Sequence, residues 1–192
     1  ASDNVGVGHS ALEANTTGAS NVAVGKNALA ANTTAANNTA VGKNCLSANT
    51  TGSENTAVGL NALSTNTTGA NNTVMGKGAL AAGTTSSSNV CIGNNCGDAL
   101  TTGHTNTLMG FQTGTYQNDI VTGIGNVIVG AYSTGTSESG NDQHGFGYDL
   151  DCAPDFTTLG ASSVDSRLAH GGTTWAAVSD ERYKKDIVDS TA

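Results

Sequence analysis

Asn21-Val22-Ala23-Val24-Gly25 is a word that this chain repeats. It returns as Asn38-Thr39-Ala40-Val41-Gly42, Asn55-Thr56-Ala57-Val58-Gly59, Asn72-Thr73-Val74-Met75-Gly76, Asn89-Val90-Cys91-Ile92-Gly93 and Asn106-Thr107-Leu108-Met109-Gly110. A copy at Asn4-Val5-Gly6-Val7-Gly8 precedes them. Asn126-Val127-Ile128-Val129-Gly130 follows a short insertion, and a worn copy, Gln143-His144-Gly145-Phe146-Gly147, closes the series. From Gly8 to Gly110 the closing glycines stand 17 residues apart. A fixed short period of this kind is the signature of a repeat architecture, in which each unit packs on its neighbours.

Aligned by that glycine, the copies separate into columns. The residue before it is large and apolar: Val7, Val24, Val41, Val58, Met75, Ile92, Met109, Val129 and Phe146. Three before it stand β-branched residues from Val5 to Val127, and then His144. Side chains alternate along a strand, so these two columns share one face. The column between them (Gly6, Ala23, Ala40, Ala57, Val74, Cys91, Leu108, Ile128, Gly145) is small or apolar and points the other way. Strands apolar on both faces are normally covered on both. Val22 and Val24 are therefore expected to fill the coil, and Ala23 to face another chain. A single stack has no partner of its own for its second face, so the pattern predicts self-association.

The rest of each coil is equally regular. Leu12, Leu29, Leu46, Leu63 and Leu80 fall four after the glycine, followed by Asn-Thr-Thr at 15–17, 32–34, 49–51 and 66–68. A small residue closes the coil at Gly18, Ala35, Gly52, Gly69, Ser86 and Gly103. Asparagine and glycine tolerate left-handed backbone, so they are expected to turn the corners. Stacked asparagines are expected to hydrogen-bond along a ladder. With coils about 4.8 Å apart, nine of them make a rod roughly 40 Å long. The Asn-Thr-Thr runs also match the glycosylation sequon, but they recur because the corner recurs.

Composition agrees. Only 11% of the 192 residues are charged and 4% aromatic, with 26 glycines and one proline. That is too few large side chains for an ordinary core, and too apolar and regular for a disordered chain. The net charge of −8 argues against a nucleic-acid partner. No apolar run is long enough for a membrane helix, and no signal peptide is visible. The chain opens in mid-repeat, which suggests a fragment of something longer. Cys45, Cys91 and Cys96 replace alanine in apolar columns, and Cys152 lies outside the repeats. They read as small buried residues rather than as a disulfide or zinc set, for no Cys-x-x-Cys pair exists. His9, His104, His144 and His170 occupy unrelated positions, so neither a metal nor a cofactor is expected.

The Asn-(Val/Thr)-Ala-Val-Gly-x-Asn-Ala-Leu pattern resembles the head repeats of trimeric autotransporter adhesins and related phage fibre segments. The resemblance covers residues 1–147. It implies an all-β fold: a left-handed parallel β-roll or β-helix solenoid of about nine 17-residue coils, three of which join about a common axis as a homotrimer. The family's usual repeat is shorter, so longer corners are expected here. Residues 148–178 lose the period and gain Tyr148, Pro154, Phe156 and Trp175, as expected of a non-repetitive cap or transition. The acids Asp149, Asp151, Asp155 and Asp165 match no calcium loop and read as a solvated surface.

The last stretch, residues 179–192, begins Ser179-Asp180-Glu181-Arg182-Tyr183-Lys184-Lys185-Asp186-Ile187. Its residues alone suit a helix start, with Ser179 as the N-cap and acids in the first turn. The run also resembles the entry to the intramolecular chaperone, auto-processing domain of phage tail fibres, tailspikes and endosialidases. In that family the domain trimerises, drives folding of the fibre before it, and cuts itself off. Carried over by position, the resemblance makes Ser179 the nucleophile and Lys184 the general base; Tyr183 departs from the commoner leucine. A serine hydroxyl needs such a base, and a desolvated lysine serves. Ala192 lies too close behind Ser179 to leave room for that domain. An uncleaved chain, an inactive motif or a longer gene product would each account for this.

Three functions follow as expectations. The first is a structural and adhesive segment of a phage tail fibre, extracellular on the virion. It would contact other virion tail proteins and a host surface glycan or protein receptor, with no nucleic acid and no membrane insertion. The second is a bacterial trimeric surface adhesin head. The third is a polysaccharide-degrading tailspike, disfavoured because glycoside hydrolysis needs a carboxylate pair whereas Glu13, Glu54 and Asp98 stand in different columns.

Overall fold

A computed structural model describes residues 2–115, 119–161, 164–170 and 176–177. Each copy of the repeated word forms a three-residue strand: β1 (Val5–Val7), β2 (Val22–Val24), β3 (Thr39–Val41), β4 (Thr56–Val58), β5 (Thr73–Met75), β6 (Val90–Ile92), β7 (Thr107–Met109) and β8 (Val127–Val129). After β9 (Thr134–Gly135) come β10 (His144–Tyr148), β11 (Asp151–Cys152), β12 (Phe156–Ala161), β13 (Val164–Ala169) and β14 (Ala176–Ala177). Strands β1 to β8 pair in parallel and in register with the period, so that Ala23 lies beside Ala40, and Ala40 beside Ala57. β10 continues this parallel stack on β8, and β12 on β10. β9 and β11 form a separate two-stranded parallel ladder. The chain is thus a parallel β-solenoid of about nine turns of roughly 17 residues, all-β and without a helix among the described residues. At its end the direction reverses, with β13 antiparallel to β12 and β14 antiparallel to β13.

The two strand faces are the reverse of the sequence expectation. Ala23, Ala40 and Ala57 are fully buried in the chain's own core, whereas Val22 and Val24 are only half-buried on the outside. Alternation separates the faces but does not say which one turns inward. Coil geometry decides it: each three-residue strand sends one side chain in and two out. Across from that side chain arrives the coil's leucine, and Leu29, Leu46, Leu63 and Leu80 are all 0% exposed. Interiors are close-packed, so one alanine and one leucine fill a space that two valines and a leucine would overfill.

The corners also differ in detail. Asn32, Asn49 and Asn66 are buried and are not among the residues with positive φ. The left-handed positions include Asn27, Asn44 and Asn61, two after the motif glycine, the residue before each leading asparagine (Ser20, Asn37, Glu54, Asn71 and Ser88), and the leucines themselves, with φ near 50° at Leu29, Leu46, Leu63 and Leu80. A left-handed leucine costs roughly 1–2 kcal/mol. Full burial of its side chain returns about 1.5–3 kcal/mol, so tertiary packing overrides the local preference. The motif glycine is required by stacking. At Gly25 (φ +135°) a Cβ would lie 2.5 Å from the Gly42 carbonyl oxygen of the next coil, closer than any side chain permits.

Candidate functional site

The solenoid is held by asparagine ladders that leave one long sheet face free for contact. In the first ladder the leading asparagines of the motif are buried from Asn21 to Asn126. Asn38 donates its backbone N–H to Asn21 Oδ1 at 3.0 Å, and Asn55 donates to Asn38 Oδ1 at 2.9 Å. The chain of bonds continues through Asn72, Asn89, Asn106 and Asn126. The amide nitrogens donate to the coil-closing carbonyls, as Asn55 Nδ2 does to Gly69 O at 2.9 Å. The second ladder is the one expected from the sequence. Asn32 Nδ2 reaches Asn15 Oδ1 at 2.8 Å, Asn49 reaches Asn32 at 3.2 Å, and Asn66 reaches Asn49 at 3.0 Å. Asn66 and Asn55 share the Gly69 carbonyl, so the two ladders lock at one point of the coil. The structural role of the first ladder was visible in the sequence only as an asparagine that heads nearly every copy. The amides of Asn32, Asn49 and Asn66 are engaged inside the folded coil, which makes them poor glycosylation acceptors.

The first ladder ends at Gln143. Its backbone N–H still donates to Asn126 Oδ1 at 2.9 Å, but its longer carboxamide is buried with no partner among the described residues. Parallel stacking passes Gln143 through a shortened turn, where His144 pairs with Thr157, before the sheet reverses.

With the ladders inside, the columns of Val22 and Val24 form a continuous outer face. From β1 to β8 it carries valine, threonine, methionine and isoleucine and no charge. Val5, Val7, Met75, Met109, Phe146 and Leu159 are exposed on it, Val7 by 56% and Met75 by 45%. Parallel sheets usually have both faces covered, whereas this uncharged face is half-buried or exposed along β2 to β8. Beside it runs the row just after the motif glycine, where Lys26, Lys43 and Lys77 are exposed.

Ser179 and Lys184 lie outside the described residues. The cysteines do occupy core positions: all four are buried thiols. Cys45 Sγ donates to Ala57 O at 3.1 Å and Cys96 Sγ to Leu108 O at 3.2 Å, and burial pushes the Cys45 thiol up to about 12. No cluster of three or more His, Cys, Asp or Glu able to hold a metal is present among the described residues. No described helix is long and apolar enough to cross a membrane.

Two pairings were not legible in the sequence. Asp98 stands alone in its column, yet the insertion before Asn126 brings Asp119 to it. The Asp98 carboxyl is raised above the usual range, first by burial and then by the Asp119 charge. His144 and His170, unrelated in the repeat, meet with ring centroids 4.7 Å apart because β13 folds back antiparallel on β12. Comparison with known protein families, with curated proteins and with solved structures finds no match to this chain.

Proposed function

We propose that this chain is a rod-forming, adhesive segment of a phage tail fibre that assembles as a homotrimer of left-handed rolls through its outer sheet face. The observation that carries the reading is the periodicity of that face. The same uncharged pair of columns recurs in every coil, at the strand spacing of about 4.8 Å. A surface that covers it must repeat with the same spacing along the same length, and a second copy of the chain does so in register. The face differs from the one expected at the sequence level, but the reason for association is unchanged: one sheet face is filled from within and the other requires a neighbour. Residues 179–192 give the fibre reading its second support, through the Ser179 and Lys184 resemblance to a self-cleaving assembly chaperone. A strand-rich chain whose contacts are mostly between coils folds slowly and gains from such help.

Light scattering tests the assembly. A mass of three chains at micromolar concentration, resistant to SDS, is expected, and a single-chain mass would refute it. In a gene product extending past Ala192, Ser179→Ala and Lys184→Ala should each leave a longer, uncut chain. Unchanged processing would remove the dyad and leave the adhesin-head reading ahead of the fibre.

A further inference from the structure

The chain has three phenylalanines, four tyrosines and one tryptophan, and three of these meet at one place on its surface. Phe111 and Tyr132 pack edge-to-face with centroids 5.3 Å apart and planes at 72°. Tyr132 and Tyr148 do the same at 5.7 Å and 82°. Beside them is an open cavity of about 430 Å³, lined by Gln112, Tyr132, Tyr148 and Asp149. We infer that this cavity is a carbohydrate-binding site that takes a neutral pyranose sugar.

The repeat supplies its own control. Phe111 and Tyr148 occupy the row held in earlier coils by His9, Lys26, Lys43, Leu60, Lys77 and Asn94. Tyr132 takes the place of Asn27, Asn44, Asn61 and Asn95, and Gln112 and Asp149 lie in the same column on either side of it. Those earlier coils carry exposed side chains in the row and, in the column, part-buried asparagines bonded to one another, Asn27 Nδ2 to Asn44 Oδ1 at 3.0 Å and Asn44 Nδ2 to Asn61 Oδ1 at 3.1 Å, so the fold does not require aromatic rings here. Tyr132 even adopts φ 60°, a region that suits asparagine and disfavours a bulky ring. The backbone beneath is fixed by coil-to-coil bonds, Tyr132 N to Phe111 O and Asp149 N to Ala131 O, both 2.9 Å. The group is therefore presented on a rigid frame.

The lining identifies the ligand class. A pyranose has an apolar face of C–H groups and a rim of hydroxyls. Aromatic rings meet the first, and the Gln112 amide, the Asp149 carboxylate and the phenol groups meet the second. The volume falls within the range of small-ligand pockets, which run from about 300 to 1,000 Å³, and suits one or two sugar rings. The Asp149 carboxylate selects against an anionic sugar. A second copy of the chain is the less suitable occupant, because among the described residues the cluster occurs once along the rod whereas the face assigned to other copies recurs from coil to coil.

This site deepens the attachment reading and rests on it for its biological use. Saturation-transfer NMR on the 192-residue chain, with lactose, maltose and chitobiose as neutral probes and sialyllactose as the anionic control, tests it. Transfer to at least one neutral disaccharide is expected, with affinity of order 1 mM. Tyr148→Ala and Gln112→Ala should each weaken that affinity about tenfold, whereas Leu60→Ala, in the same row of an earlier coil, should not. Absence of transfer from all three neutral probes, equal binding by Tyr148→Ala, or preference for sialyllactose would overturn the site. So would a change of molecular mass in Tyr148→Ala, which would make the cluster a contact between copies. Mass measured on the same wild-type sample separates the two readings. A single chain that binds the sugar sinks the trimer and keeps the site; an assembled chain that binds none does the reverse.

Discussion

Leu108 and Gly114 occupy one shared space: a Cβ on Gly114 would lie 2.9 Å from Leu108 Cδ1. In earlier coils the same two positions are Ala40 with Leu46 and Ala57 with Leu63. The volume has crossed from one wall of the coil to the other, from the leucine at the corner to the strand centre. The same exchange occurs at Cys91 with Gly97, whose Cβ would lie 3.1 Å from both Cys91 Sγ and Leu108 Cδ1. Gly114→Leu alone should therefore overpack the coil and cost about 1–3 kcal/mol. Leu108→Ala alone should leave a cavity and cost about 2–5 kcal/mol. The double variant restores the alanine–leucine pair of the earlier coils, though beside Ile120 rather than a ladder asparagine, and should recover at least about 1 kcal/mol over the sum. Urea unfolding of the four proteins measures this, and strict additivity would show that the two residues do not share space.

Ala40 and Val58 lie on opposite faces, one fully buried and the other half-buried outside. Ala40→Asp should unfold the chain itself, because an unpaired carboxylate cannot be accommodated in the coil. Val58→Asp should leave the chain folded but unassembled. Circular dichroism and light scattering together separate these outcomes. A folded, unassembled Ala40→Asp would restore the face assignment that the columns alone suggested.

The Asn55 carboxamide is bonded on all sides. Its Oδ1 accepts from Asn72 N at 3.1 Å and Asn72 Nδ2 at 2.9 Å, while its Nδ2 donates to Asn38 Oδ1 and Gly69 O. Asn55→Ala orphans several buried groups at about 1–3 kcal/mol each. Thermal unfolding should show a large loss, while Thr68→Ala on the exposed corner should stay within about 0.5 kcal/mol of the parent. Equal effects from the two would mean the ladder adds nothing.

His144 has its pKa lowered, first by burial and then by the facing His170, with Asp142 opposing. Above the ordinary histidine value of about 6.5 the ring is neutral in both the folded and the unfolded chain. As pH falls below that value the unfolded chain takes up the proton more readily, so the end of the solenoid should loosen toward acid. Hydrogen exchange across β10 and β12, corrected for intrinsic rates, should be faster near pH 5 than near pH 7.5. His144→Asn should remove the difference, and equal protection in the parent at both pH values would refute the effect.

The repeated word Asn21-Val22-Ala23-Val24-Gly25 determined by itself that the chain is a solenoid, because period, strand alternation and an obligatory glycine are local properties of the sequence. It also determined that neither strand face suits water. Only the tertiary structure decided which face lies inside. That depends on how much volume the leucine arm delivers across the coil, and a single strand does not encode it. The same holds for Leu29 in a left-handed conformation, stabilised by burial against its local preference. The encounters of Asp98 with Asp119, His144 with His170, and Phe111 with Tyr132 and Tyr148 arise where an insertion, a sheet reversal and a stack of coils bring distant positions together. The first two were beyond a reading by columns because they depend on the path of the chain rather than on its period, whereas the aromatic group stands in two neighbouring columns of three successive coils and follows from stacking them.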